Sequence, residues 1–524
     1  MKNKRNSENL PNWIGRISNL LTRKKVPVKI VFFGISILST IWFLVRVIPK
    51  PSRATYPCMQ VVAPVMSGFF IWIFSVTASW LAFKKTKHQF IKARYLAAFS
   101  FGVAGILFAV FVVTTNSTFV KAGNVEPWYK PNMPIGEARG INPGCVAWAH
   151  DPKIASWDAK TGNWWEDRYV NQGETDKLLK NALITLTNSK DETSAWNALF
   201  VYFNQKKSGT PKKYQHGEKI AIKINQNNTY SHANSPEINT TPQLVMSVLS
   251  SLINKGNVSQ KDITVFDASR FITDNIYNKC HAVFPGVVFV DNCGGEGRVK
   301  AEYNYNAIPF SKDNGRLANG IAKCAIEARY LIDMAVLKGH VGQGVSLCAK
   351  NFYGVTSIHA DWHKNVHNNF DQDREGKDKY MTFTDYLGHK DLGEKTVLFL
   401  IDAIYANKYV AGLPSFKMQL APFNNNWPNS LLLSQDGVAI DAVGMDFILN
   451  EWPDAPELKY CDMYLKEAAL ANNPPSGTFY DPEHDGTGLK SLGVLEHWNN
   501  PIDKKYSRNL KTGNGIELIY NLVE

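Results

Sequence analysis

Three long apolar runs open the chain, near Val28–Val45, Val61–Phe83 and Tyr95–Val113. Each is close to the ~20 residues that cross a bilayer as a helix. Further on, the pattern shortens and alternates. Helical periodicity over Glu174–Thr187, Ser194–Phe203 and Thr241–Leu252, the last with Pro242 at its start, is interleaved with β-rich runs. Those runs are Lys219–Ile224, Ile263–Phe266, Val287–Val290, Leu331–Leu337 and Val397–Ile401. Leu431–Asn450 reads as a strand, a turn at Gln435–Gly437, and a helix with Asp441 in its first turns. Short apolar strands that alternate with helices predict an α/β fold with a doubly wound, largely parallel sheet. The full expectation is three N-terminal transmembrane helices followed by an α/β ectodomain. It divides into a basic cytoplasmic segment (1–27), a membrane anchor (28–117), a linker (118–150) and an extracytoplasmic domain (151–524).

Charge changes how the basicity is read. The 524 residues hold 58 Lys/Arg and 46 Asp/Glu, a net of +12. Sixteen of the basic residues and one acid (Glu8) fall in residues 1–120, which leaves 42 basic and 45 acidic residues for the rest. The excess belongs to the N-terminal part, so a nucleic-acid partner loses its main support. The loop Lys84–Arg94 carries five Lys/Arg and no acid. By the positive-inside bias, that loop and the N-terminus face the cytoplasm. Everything beyond about residue 117 then lies outside the cytoplasm. No Asp, Glu or His lies in the three runs, which argues for an anchor rather than an ion path.

The seven cysteines are scattered without CxxC or Cys/His metal spacing. Cys280 and Cys293 are the favoured pair in an oxidising compartment. Three tryptophans in Trp157–Trp165 are expected to pack rather than to stack on a sugar.

Candidate chemistry centres on Leu337–Gly354, LKGHVGQGVSLCAKNFYG. In open α/β sheets ligands bind beyond the carboxyl ends of the strands. That rule singles out Lys338, His340, Lys350 and Asn351 as catalytic candidates. Lys223, Asn225, Asp267 and Asp402 join them at other strand ends, with Asp436 and Asp441 as possible paired carboxylates. Lysines at strand ends beside a glycine loop suit a carboxylate or phosphate, and a partly buried amine can act as base or nucleophile. His340 titrates near neutral pH. The competing expectation is structural: lysines paired with Asp267, Asp402 or Asp436, and Asp436 capping a helix or turn.

His359, Asp361, His363 and His367 form a second constellation, able to bind a divalent metal if helical. Their Asn- and Asp-rich surroundings favour a loop instead. Asp481, Glu483 and Asp485 do not complete a calcium loop and read as a turn. No GxSxG, GxxxxGK[ST] or GxGxxG element is present, which leaves hydrolase triads, nucleotide hydrolysis and dinucleotide binding unsupported.

Several stretches together resemble a known family. They include ARGINPGCVAWAHDP (138–152), GEKIAIKIN (217–225), ITVFDASR (263–270), LKGHVGQGVSLCAKNFYG (337–354) and LSQDGVAIDAVGMDF (433–447). From about Ile141 to the end, the chain resembles bacterial proteins with the domain of unknown function 362 (DUF362), in a membrane-anchored or secreted subgroup. The resemblance implies an α/β domain without an assigned activity, and places Lys223, Asn225, Lys338, Lys350 and Asn351 in recurrent motifs. Some members carry ferredoxin-like cysteine clusters. This chain has none, so no iron–sulfur cluster is expected, while a divalent metal stays open. The functional expectation is an enzyme acting on an anionic small molecule or cell-envelope component. The alternatives are a non-catalytic anion-binding module coupled to a membrane partner, and a metal-dependent enzyme.

Overall fold

In the computed structural model the described residues are 129–523, without 313–318, 341–342, 358–378, 415 and 454–459, together with parts of 77–104. The chain divides into two compact units, Met1–Pro127 and Trp128–Glu524.

The first unit corrects the predicted membrane anchor. Among the described residues no helix is long and apolar enough to cross a membrane. The described helical residues at 80–91 carry Lys84, Lys85 and Lys87. The run Val28–Val45 lies outside the described residues, as do most of Val61–Phe83 and the second half of Tyr95–Val113. Among the described residues the architecture is mixed α/β with a large, mostly parallel sheet, and the three transmembrane helices are not supported.

The second unit is built on one large sheet. Its elements in chain order begin with strand β1 (Cys145–His150), helices α1 (Gln172–Thr187) and α2 (Glu192–Ser208), and strand β2 (Ile220–Ile224). Helix α3 (Pro242–Asn254), β3 (Ile263–Asp267), α4 (Asp274–Val283), β4 (Val288–Asp291) and the two-residue β5 (Val299–Lys300) follow. Next come β6 (Tyr330–His340), β7 (Gly344–Ser346), the single-turn α5 (Cys348–Asn351) and α6 (Thr382–Gly388). The chain closes with β8 (Thr396–Asn407), β9 (Ser430–Ser434), α7 (Gly437–Glu451), α8 (Met463–Ala469) and β10 (Glu517–Leu522).

The strand order is β10-β1-β9-β8-β6-β2-β3-β4-β5, with β7 folded back on β6. Pairing is parallel from β8 through β6, β2, β3 and β4 to β5, and again between β10 and β1. It is antiparallel where β9 meets β8 and β1, and in the β6–β7 hairpin. β1 falls in the segment read from sequence as a linker, yet all six of its residues are buried.

Alternation along the strands gives the sheet two apolar faces. Ile220, Ile222 and Ile224 pack with Leu178 of α1 and Leu244 of α3. Ala221, Leu331 and Ala335 pack on the other face with Val438 and Val443 of α7. Burial of both faces explains why the strands read as continuous apolar runs rather than as alternating ones. Trp157 and Trp164 are buried, and Trp157 stacks on Trp427 with ring centroids 5.9 Å apart. Cys280 and Cys293 are free thiols, the first buried in α4 and the second exposed, so the expected disulfide is absent.

β10 is an edge strand. The backbone groups of 517, 519 and 521 turn towards β1, with Glu517 N–H donating to the Gly144 carbonyl, so the backbone N–H and C=O of the buried Leu518 face away from it. Leu518 N–H donates to Asn509 Oδ1 at 3.1 Å, and Asn509 Nδ2 donates back to the Leu518 carbonyl at 3.0 Å.

Candidate functional site

Lys223 is the only charged residue of β2, and its neighbour in register on β6 is Asp333. Both lie on the α7 face of the sheet, alternating with apolar residues, and both are buried. A lysine and an aspartate in such a place need partners. Lys223 Nζ donates to Asp267 Oδ2 at 3.1 Å, to Asn351 Oδ1 at 3.0 Å and to the Ile224 carbonyl at 2.6 Å. Asp267, at the C-terminal end of β3, also accepts from the backbone of Gln226 and Ser269 and from the Ser269 hydroxyl.

Asn351 joins the parts. Its Nδ2 donates to Asp333 Oδ1 at 2.7 Å, and its Oδ1 accepts from Lys223 and from Asn225 Nδ2 at 3.0 Å. Asn225 Oδ1 in turn accepts from Lys338 Nζ at 2.7 Å. A continuous line of polar contacts therefore runs from Asp333 through Asn351 and Asn225 to Lys338. Gly354 closes over it: a Cβ there would stand 2.7 Å from Lys223 Nζ and 3.0 Å from Asp267 Oδ1. The glycine is required by this close approach.

The electrostatics follow from burial. Burial raises the Asp333 carboxyl to about 8, against the pull of Lys223 and Asn351, so it is held as the neutral acid at neutral pH. Burial lowers Lys338 to about 7, with Arg270 and Lys223 adding repulsion while Glu237 and Asp267 oppose it. Lys350 is pushed well below the ordinary lysine value by burial and by Arg270, Lys338 and Lys223. Its Nζ lies 4.5 Å from the centre of the Tyr353 ring. Arg270, Lys223 and the Asp267 carboxylate act electrostatically on both Lys338 and Lys350, while Glu237 acts on Lys338.

The structure brings together Lys223, Asn225, Asp267, Lys338, Lys350 and Asn351 of the expected residues. His340 ends β6 two residues beyond Lys338, in register with Gly344 of β7. Asp402 serves elsewhere, accepting from the backbone N–H of Thr241 at the start of α3 and of Ile404.

Asp436 and Asp441 are helix caps rather than paired catalytic carboxylates. Asp436 accepts from the N–H groups of Val438 and Ala439 at the start of α7, and also from those of Arg139 and Val494. Asp441 accepts from Cys348 and Ala349 N–H at the start of α5, and from the Tyr464 hydroxyl. Burial raises both to about 6. Asp481 closes its own turn by accepting from Asp485 and Gly486 N–H.

His359, Asp361, His363 and His367 lie outside the described residues. Among the described residues no group of three or more His, Cys, Asp or Glu side chains is placed to hold a metal ion.

Sequence reasoning missed Asp333, Arg270 and Glu237. Asp333 carried a signal, as the single charge inside the apolar run of β6. Arg270 stands three residues after the strand-end Asp267 and had the same address as the residues that were picked.

Residues 220–446 match the model of a domain of unknown function, DUF362. The chain carries a DUF362 domain. No curated protein and no solved structure matches it. The matched segment contains the whole line of contacts from Asp333 to Lys338, together with Arg270, Lys350 and Gly354. The match does not distinguish a membrane-anchored or secreted subgroup. β1, α1, α2, α8 and β10 lie outside the matched range and contribute to the sheet and to both of its helical layers.

Proposed function

We propose that the strand-end cluster of the DUF362 domain binds an anionic small molecule and that the protein is an enzyme acting on it. One observation carries this reading: Lys223 and Lys338, joined through Asn351 and Asn225 beside Asp333, are buried together at the strand ends, where Arg270 acts on Lys338 and Lys350. Lysines offer point charges and arginine a planar fork to the oxygens of a carboxylate or phosphate. Lys338 exchanges its proton near neutral pH, which is the condition for a general acid or base at a working pH close to 7. Lys350, whose burial also pushes its amine well below the ordinary lysine value, is the second candidate for nucleophilic or proton-accepting work. Lys223, Asn225 and Asn351 act as the scaffold that fixes Lys338. A non-catalytic binding module is the second reading, favoured by the fixed hydrogen bonds that hold Lys223 and Lys338.

A thermal-shift screen of anionic metabolites, followed by product analysis of each stabilising compound, tests the proposal. Chemical conversion that disappears in Lys350→Ala supports the enzyme. Stabilisation with every compound recovered unchanged supports the binding module, and no stabilisation by any anion removes both.

A further inference from the structure

We infer that a cavity at the opposite end of the sheet from Lys338 binds a small organic acid, one carboxylate on a compact apolar body. The inference goes beyond the proposed function, because it concerns a second site built from other residues.

The place follows from strand register. Thr396 opens β8 beside Leu331 near the start of β6, whereas Asn407 closes β8 beside Lys338. Thr396 and Phe399 line a cavity of about 130 Å³, which therefore lies at the far ends of these strands from Lys338. Arg139 and Gly140 before β1, the last turns of α2, Gly393 and Glu394 before β8, and the turn from β9 into α7 supply the remaining walls. Hydrogen bonds hold those walls in place. Arg139 N–H donates to Asp436 Oδ2 and Ile141 N–H to Gln435 Oε1, each at 2.9 Å. Gln435 Nε2 donates in turn to the Val397 carbonyl at 3.0 Å.

The lining has two parts of different chemistry. Phe203, Leu387, Phe399 and Leu492 are buried and make an apolar floor. An apolar cavity of ~150 Å³ holds a molecule the size of benzene, so this floor suits a body of about that size. Lys206 and Lys207 are exposed residues of the same lining, which puts them at the mouth. Among the described residues Glu394 is the single carboxylate of the lining. It is committed to the Arg139 guanidinium, which also donates to the Ser491 carbonyl. Among the described residues no carboxylate stands within ion-pair distance of Lys206 or Lys207. Two uncompensated ammonium groups above an apolar floor match a ligand that is negative at one end and apolar at the other. Arg139, Lys206 and Lys207 all precede residue 220, so the positive charge of this site lies outside the matched DUF362 range.

Calorimetry of the full chain at pH 7 with benzoate, acetate and benzylamine tests the inference. Benzoate carries both parts, acetate lacks the body, and benzylamine joins the body to the opposite charge. Expected is benzoate binding about tenfold tighter than either control. The double variant Lys206→Met, Lys207→Met alters exposed positions alone and should weaken benzoate about tenfold. Lys338→Met should leave benzoate binding unchanged. Acetate binding as tightly as benzoate overturns the apolar floor, and benzylamine binding as tightly overturns the charge. No benzoate binding, or an affinity unchanged in the double lysine variant, overturns the site. Benzoate binding abolished by Lys338→Met but kept in the double variant assigns the acid to the strand-end cluster, which sinks this inference and supports the proposed function. If the anion screen fails while benzoate binds through Lys206 and Lys207, the proposed function falls and this site stands.

Discussion

Lys338 Nζ rests on Asn225 Oδ1 at 2.7 Å, an amide 113 positions away in the chain that comes from a neighbouring strand end. An amide oxygen accepts a hydrogen bond from the amine whether or not it is charged, and supplies no countercharge. Asn225 therefore fixes where the Lys338 amine sits without fixing its protonation.

Lys338→Met is expected to raise stability at pH 6 by about 1–4 kcal/mol, because the variant no longer buries an ammonium. The folded protein holds this proton only up to about pH 7, against 10.5 in an ordinary lysine. Between those values the unfolded chain binds the extra proton, so the natural protein gains stability as pH rises from about 7. Urea midpoints at pH 6 and pH 9 should converge for variant and natural protein at the higher pH.

Asp333 has the opposite sign. Its folded value of about 8 lies above the ordinary 3.8, so its contribution is complete below 3.8 and is lost as pH climbs through 8. Asp333→Asn keeps an oxygen to accept from Asn351 and removes the ionisation. It is expected to be more stable than the natural protein at pH 8, on the order of 2 kcal/mol, and to lack the decline between pH 4 and 8. Denaturant titration of both proteins across that range reads the difference.

Asn351→Ala should cost about 1–3 kcal/mol, because Lys223, Asn225 and Asp333 each lose a buried partner. Gly354→Ala should cost a similar amount by forcing apart Lys223 and Asp267. Both changes should weaken the binding of an anion identified by the thermal-shift screen, since they displace the scaffold beneath Lys338.

Asp436→Ala provides the contrast. It removes the N-terminal cap of α7 and an acceptor for four backbone N–H groups, for about 0.5–2 kcal/mol of stability. Affinity for that anion, measured well below the melting temperature, should be unchanged.

Lys223, Asn225, Asp267 and Lys338 were legible because parallel strands place their ends side by side, and a polar residue at such an end stands out from an apolar run, whereas Asn351 was legible from the loop that follows one of those ends. Asp402 also ends an apolar run, but its carboxylate satisfies the start of α3. Strand-end position alone does not separate those two duties. Asp436 and Asp441 could not be told apart from site residues by spacing, since a carboxylate before a helix has the same sequence signature whether it caps or reacts. The partner N–H groups of Asp441 belong to α5, 92 and 93 positions earlier. β1 and β10 were obscured differently. β1 sits in a stretch rich in glycine and proline, and β10 closes a loop-rich tail, so neither is flanked by the helix that marks the other strands.

Asn509 gives the edge of the sheet a second meaning. Its side-chain amide offers Leu518 one donor and one acceptor, as the backbone of an eleventh strand would. An incoming chain must first dislodge a group already tethered nearby, whose local concentration no free strand matches. Docking there is thus opposed by competition from within the molecule, independently of surface charge. Asn509→Ala should leave the fold intact and convert that guarded margin into one where light scattering grows with protein concentration.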